Sequence, residues 1–446
     1  MSGSIGDNVF RASGVIAAAA AGRTGTVDWD TTPKTSTFTA VTANGYFLNT
    51  TSGVLTVNLP AGVAGSIVSM ADYAGTWQTN NVTVTPNGSE KIGSVNASVT
   101  LDTEGQSVTL VYVDSTQGWL NTMDSTSNVR GATFVVATGG TPCAGATVCT
   151  NYKQHTFTGP GTFCVSCAGG PAGSNTVDYL VIAGGGAGSI GTGSNSGGAG
   201  GAGGYRESPG TASGCYTVSP RGAAPAVALP VSATGYPITI GGGGAISPST
   251  RSCNGDVSTF STITSTGGGA GGVGSSAPGQ PGSSSGGDGG SGGGARGSHG
   301  TFSAGAGNTP PTNPAQGMPG GNCSSGGPIG DLEGGGGGGA ITAGGNGDAA
   351  GGTGGAGGPG ATSSINATPT ARAGGGGGGG GSPGATAGPG GAGGGGTGAK
   401  GTGPTPVSAA IAGTCNTGGG GGGGGNAGLV GAKGGSGVVI IRYKFQ

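Results

Sequence analysis

The sequence predicts a mainly β protein with essentially no α-helix. An N-terminal β-sandwich or jelly-roll-like domain should be followed by a glycine-rich domain of packed polyglycine, polyproline II-type helices framed by β-strands. Three observations carry this. Glycine supplies 118 of 446 residues, against about 7% in ordinary proteins, and it crowds into the chain after Gly184. The part before it consists of short runs in which apolar residues alternate with Thr or Ser, the period of a half-buried strand. Two unbroken β-branched runs, Asp178-Tyr-Leu-Val-Ile-Ala183 and Gly437-Val-Val-Ile-Ile-Arg-Tyr-Lys-Phe445, bracket the glycine-rich part and read as buried strands.

Taken in order, residues 1–30 read as a docking segment. Their apolar run at 15–21 lies between Arg11 and Arg23 and lacks the basic lead of a secretion signal. Strands are expected over 36–41, 46–49, 54–59, 65–70, 81–85, 97–101 and 106–114, with turn signals at 60–62, 86–88 and 104–105. Many short strands so spaced make residues 31–125 a sandwich-like assembly domain. Trp29, Trp77 and Trp119 all fall in this part of the chain and read as core and interface packing. Residues 126–177 form a β-rich connecting region, with a strand over 161–168.

Residues 178–446 form the glycine-rich domain. A flexible linker would not need an apolar strand at each end, so this part should close on itself. Further strands are expected at 236–240 and 257–264, each entering a glycine run. Glycine has no side chain to bury and loses the most entropy when ordered. Its runs at 334–339, 374–381 and 418–425 therefore need another source of order. Extended helices of three residues per turn can pack backbone to backbone, each N–H bonding to a neighbour's carbonyl. A collagen register is excluded, because no strict Gly-X-Y period persists. Loops are expected where glycine gives way, at 205–209, 221–234, 247–254, 296–302, 308–318, 329–333, 362–372 and 402–417.

Charge is sparse and balanced, with 15 basic and 16 acidic residues. No basic surface for nucleic acid is expected, and no run is long and apolar enough for a membrane span. Both lysines of the glycine-rich runs, Lys400 and Lys433, are followed by Gly, so no phosphate-binding loop of the G-x-x-x-x-G-K-[ST] type exists. Only His155 and His299 are present, far apart. No catalytic constellation stands out, and neither enzymatic activity nor a cofactor is expected. Cys164-Val-Ser-Cys167 has a metal-ligand spacing, but on a straight strand its two thiols point to opposite faces, so no metal site is expected. Cys143 and Cys149 either close as a disulfide across the turn 144–146 or remain free thiols.

The stretches 5–16, 44–49, 80–84 and 108–114, with Gly118-Trp119, resemble structural proteins of tailed bacteriophages, notably marine ones. His155-Thr-Phe-Thr-Gly-Pro-Gly-Thr-Phe163, Gly204-Tyr-Arg206 and the stretches 178–186, 236–244 and 434–443 resemble a glycine-rich domain of phage tail-fibre proteins. The resemblance implies a virion location, docking to other virion proteins through the N-terminal region, and homotrimeric assembly. It also implies non-covalent attachment to a host-surface saccharide or outer-membrane protein through loops. Tyr205, Arg206, Arg296, His299 and Phe302 are the contact residues expected on that reading. A purely structural virion appendage or capsid decoration protein is the alternative, and an ice-binding protein a remote one.

Overall fold

The computed structural model describes residues 27–125, 134–170, 173–193, 195–214, 216–222, 226–273, 284–297, 302–323, 332–348, 352–381, 385–402, 405–426 and 428–446. The chain divides into two compact units between Gly131 and Ala132. Most of the expected docking segment, residues 1–26, lies outside the described residues.

The first unit holds nine strands: β1 (Asp28–Lys34), β2 (Phe38–Thr39), β3 (Asn44–Leu48), β4 (Leu55–Asn58), β5 (Ile67–Asp72), β6 (Val82–Thr85), β7 (Val99–Leu101), β8 (Ser107–Asp114) and β9 (Gly118–Ser125). They form two sheets, ordered β1-β3-β5-β8-β9 and β2-β4-β6-β7. The sandwich expected from the alternating pattern is present, with a connectivity that the pattern does not reveal. β1, β3 and β5 pair in parallel, as do β2, β4 and β6. A parallel pair needs a long crossover, and here each crossover carries a strand of the opposite sheet. The chain thus coils in rungs, one strand per sheet, before β7, β8 and β9 close the stack antiparallel. Leu48, Leu55, Val57, Val68, Met70, Val82 and Val84 point inward along the rungs and meet Leu110, Trp77 and Trp119 in one core. Each such side chain contributes roughly 1.5–3 kcal/mol on burial.

In the second unit the strands are β10 (Val135–Thr138), β11 (Thr141–Val148), β12 (Tyr152–Phe157), β13 (Gly161–Ala168), β14 (Thr176–Ile182), β15 (Tyr205–Glu207), β16 (Leu229–Pro230), β17 (Gly235–Thr239), β18 (Ser258–Phe260), β19 (Ile263–Ser265), β20 (Ala361–Ser363), β21 (Thr370–Arg372), β22 (Lys400–Thr402), β23 (Thr405–Ser408) and β24 (Val438–Lys444). β10 to β13, read from sequence as a connecting region, build directly into this unit. One sheet runs β10-β13-β17-β18-β19 and the other β11-β12-β24-β14-β15. Val135, Phe163, Val165, Ile238 and Phe260 of the first pack with Val177, Tyr179, Val181, Val439, Ile441 and Tyr443 of the second.

The opposite face of β14 and β24 is buried as well. Leu180, Ile182, Val438 and Ile440 pack with Ala202, Tyr205, Ala340 and Ile365 of the glycine-rich part. Burial on both faces is why these two strands read as unbroken apolar runs. They are antiparallel neighbours, so the chain enters and leaves the glycine-rich body at one gate.

Among its described residues that body has no α-helix, and apart from the two-stranded β20–β21 and β22–β23 hairpins its hydrogen bonds recur every third residue. Gly197, Gly200 and Gly203 donate to Gly424, Gly421 and Gly418. Gly198, Gly201 and Gly204 donate to Gly272, Gly269 and Thr266, while Ser196, Ala199 and Ala202 donate to Leu332, Gly335 and Gly338. Three residues per turn is the polyproline II period. The same segment accepts bonds from Gly186 and Ser189, from Ser291 and Gly294, and from Gly376 and Gly379. Segment 196–204 therefore stands inside a ring of segments, giving to three and receiving from three. The runs around 334–339, 374–380 and 418–424 are surrounded in the same way. Added Cβ atoms would stand about 2 Å from backbone oxygens at most of these positions, for example 2.0 Å from Gly186 O at Gly200. Only glycine allows so close an approach, which explains its abundance.

Candidate functional site

The segments turn back at two ends of the body. At the end near β14 and β24 lies a buried polar cluster. Asp178, fully buried, accepts hydrogen bonds from Ser208 Oγ at 2.7 Å, Ser213 N at 2.7 Å and Ser213 Oγ at 2.5 Å. Glu207 accepts from Tyr205 Oη at 3.1 Å, Ser219 Oγ at 2.5 Å and Ser363 Oγ at 2.5 Å. Burial raises the Glu207 carboxyl above its usual range, against the opposing effect of these donors. Opposite Asp178 in the ladder, Arg442 is fully buried with its guanidinium 5.1 Å from the ring centres of both Tyr152 and Tyr216. The cluster ties residues 205–219 and the β20–β21 hairpin to the gate. Its carboxylates are closed to solvent and occupied by hydroxyl donors.

At the other end, Arg296 and Phe302 come together, the guanidinium carbon 5.0 Å from the ring centre. Gly297 N bonds to Ser196 O there, and Phe302 N donates to Cys323 Sγ at 3.4 Å. Burial of the guanidinium lowers the Arg296 pKa. Both side chains are partly exposed.

The four contact residues expected from sequence that are described, Tyr205, Arg206, Arg296 and Phe302, do not form one surface. Tyr205 and Arg206 sit at the gate end, near Gln316 and Thr264. Arg296 and Phe302 sit a full segment away, and residues 196–204 at ~3.1 Å per residue put roughly 28 Å between the ends. Tyr205 is also 1% exposed, so its side chain offers no surface to a receptor. Burial raises its phenol well above the usual range. Its aromatic character serves the core, since the bond to Glu207 satisfies its hydroxyl. His299 lies outside the described residues. Sequence reading missed Asp178, Glu207 and Arg442. The available signal was a charge inside an apolar strand run, which demands a buried partner.

Of the two alternatives for Cys143 and Cys149, the structure shows the free thiols, both exposed. The turn expected between them falls within β11, where the pairing with β12 is interrupted between Thr141 and Ala146 and Gly145 takes a φ of 72°. Cys164 and Cys167 are both exposed, although a regular strand would set them on opposite faces. A register shift in the β10–β13 pairing, where Val136 meets Cys167 and Ala137 meets Val165, inserts a bulge that turns Cys167 outward. No group of three His, Cys, Asp or Glu suited to a metal occurs among the described residues.

No helix among the described residues is long and apolar enough to cross a membrane. No curated protein matches the chain. A family model does, described as a glycine-rich domain and spanning residues 156–444. That span begins within β12, ends with β24, and takes in the gate strands and the whole hydrogen-bonded body. It covers more than half of the chain, which therefore belongs to the glycine-rich domain family.

Proposed function

We propose that this chain is a virion fibre or tail-tip subunit of a tailed bacteriophage, acting without catalysis by holding loops at the far end of its glycine body for attachment to the host surface. The observation that supports this reading most is the body itself. A mutually bonded lattice is a stiff support whose segment ends can vary without disturbing its interior, since loop surfaces carry little packing. The virion context rests on the sequence resemblance. On this reading the first unit assembles the subunit into a homotrimer and the N-terminal region docks it to the particle.

Binding of the purified chain to host cells tests the proposal. The parent should attach, and replacing Arg296 and Phe302 together with Ala should weaken attachment at least tenfold. The melting temperature should stay within about 2 °C of the parent's, as surface changes usually cost little. A chain that is incorporated into particles yet does not attach to cells is a structural appendage, and the attachment reading fails.

A further inference from the structure

The outer face of the five-stranded sheet in the first unit carries one cross-strand row. Trp29 of β1 lies beside Gly45 of β3, then Ser69 of β5, Thr109 of β8 and Met123 of β9. Pairing places all five on one face. The large side chains stand at the two ends and the small ones between them, so the row has walls and a floor. The floor continues in the neighbouring row through Ala71 and Ser107. The result is a trough of about 440 Å³ lined by Trp29, Ser69, Ser107, Thr109, Met123 and Asp124, among others. Four strand spacings separate its walls, roughly 19 Å.

Trp29 is the one tryptophan of three that is not core: it is 43% exposed, whereas Trp77 and Trp119 are fully buried. Its ring is fixed from below. The Phe47 ring lies 4.9 Å away, and a Cβ on Gly45 would stand 2.7 Å from the indole. The absent side chain at Gly45 is what lets the indole lie flat on the sheet. The floor is hydroxylic, with Ser69 Oγ 2.8 Å from Thr109 Oγ1. Asp124 is the only charged residue among those lining the trough.

We propose that this trough is a binding site for a neutral oligosaccharide. The proposal goes beyond the attachment reading above, which sets the receptor loops at the far end of the glycine body, and assigns a second host-binding surface to the first unit. A flat aromatic face with negative quadrupole attracts the partly positive C–H face of a sugar ring. The serine and threonine hydroxyls donate and accept. An anionic sugar would meet no cation among the lining residues. A protein segment with an apolar face would offer the floor hydroxyls nothing beyond the bond Ser69 and Thr109 make with each other.

Because the other two tryptophans are fully buried, ligand-dependent changes in the emission of the full chain and its quenching by acrylamide report on Trp29. The full chain is titrated with neutral trisaccharides of glucose, galactose and mannose, and with a triuronic acid. A neutral probe should shift the emission to the blue and protect it from acrylamide, while the acidic probe should not. Trp29→Ala should weaken calorimetric binding at least tenfold. Ser107→Ala should weaken it too with an unchanged melting temperature, which separates lost contacts from lost folding. The proposal is overturned if no neutral probe moves the emission, if binding survives Trp29→Ala, or if the emission shifts with protein concentration alone. The last result would assign the trough to a second copy of the chain. Host-cell attachment measured in parallel keeps the two readings apart. Attachment by the parent that Trp29→Ala leaves intact removes this site and spares the attachment reading, whereas a parent that does not attach removes that reading.

Discussion

An added Cβ at Gly377 would stand 1.9 Å from the carbonyl oxygen of Gly388, and one at Gly420 2.0 Å from that of Gly200. Both oxygens belong to neighbouring backbone, which cannot swing aside as a flexible side chain would. Gly159 offers the contrast, with nothing within 4 Å of the same atom. Gly377→Val or Gly420→Val should therefore destabilise by about 4 kcal/mol or more, among the largest single-substitution effects, while Gly159→Ala stays within about 0.5 kcal/mol. Chemical denaturation of the three variants checks this. If the lattice variants unfold like the parent, glycine is filling space and not building the body. His155 supplies a pH dependence. It is fully buried, with Nδ1 2.7 Å from Gly139 O and Nε2 3.0 Å from Tyr443 Oη. Burial lowers its pKa, against the opposing pull of the Gly139 carbonyl. A depressed histidine contributes stability that is present above its unfolded value of about 6.5 and is lost as pH falls toward the folded value. The melting temperature should decline below about pH 6.5, and His155→Gln should flatten that decline. An unchanged slope in the variant would assign the acid sensitivity elsewhere.

Among the elements, the glycine segments differ in how completely they are enclosed. Residues 197–203, 334–339, 374–380 and 418–424 give and receive bonds on all sides, and they should open only with the whole unit. The β22–β23 hairpin is a two-stranded sheet, with Val407 exposed, and should open locally. Hydrogen exchange followed by mass spectrometry should find the four inner segments slowest and the hairpin fast. Equal rates would mean that the three-residue bonding pattern does not persist in solution. The strands carry their own lesson about legibility. Alternation located β4, β6 and β8 within a residue or two, because a half-buried strand must alternate. It did not reveal the parallel rungs, because inward and outward faces read the same whichever way a neighbour runs. The bulge in β13 was likewise invisible, since nothing in Cys164–Cys167 marks which residue is left unpaired.

At the scale of the whole chain, contacts are dominated by distant partners. Gly421 donates to Gly186 and Gly376 to Gly200, across some 235 and 176 residues by difference of their numbers. Closing such loops must precede the bonds that reward it, so folding should be slow. Refolding from denaturant, followed by the recovery of exchange protection in residues 197–203, should take seconds or longer. Recovery in milliseconds would imply a lattice that assembles locally. Of the candidate sites, Arg296 and Phe302 were legible as large side chains in a glycine-poor gap, and the structure pairs them. Tyr205 belonged to the same pattern and proved to be core, because burial depends on what packs over a residue and not on its neighbours in sequence. The sequence alone determined the β class, the apolar gate strands and the three-residue extended body, since each follows from side-chain period or from its absence. Which segment lies beside which was decided only by the tertiary structure. Glycine carries no side chain to specify a neighbour, so the register of the lattice comes from the gate strands and loops that tie its ends.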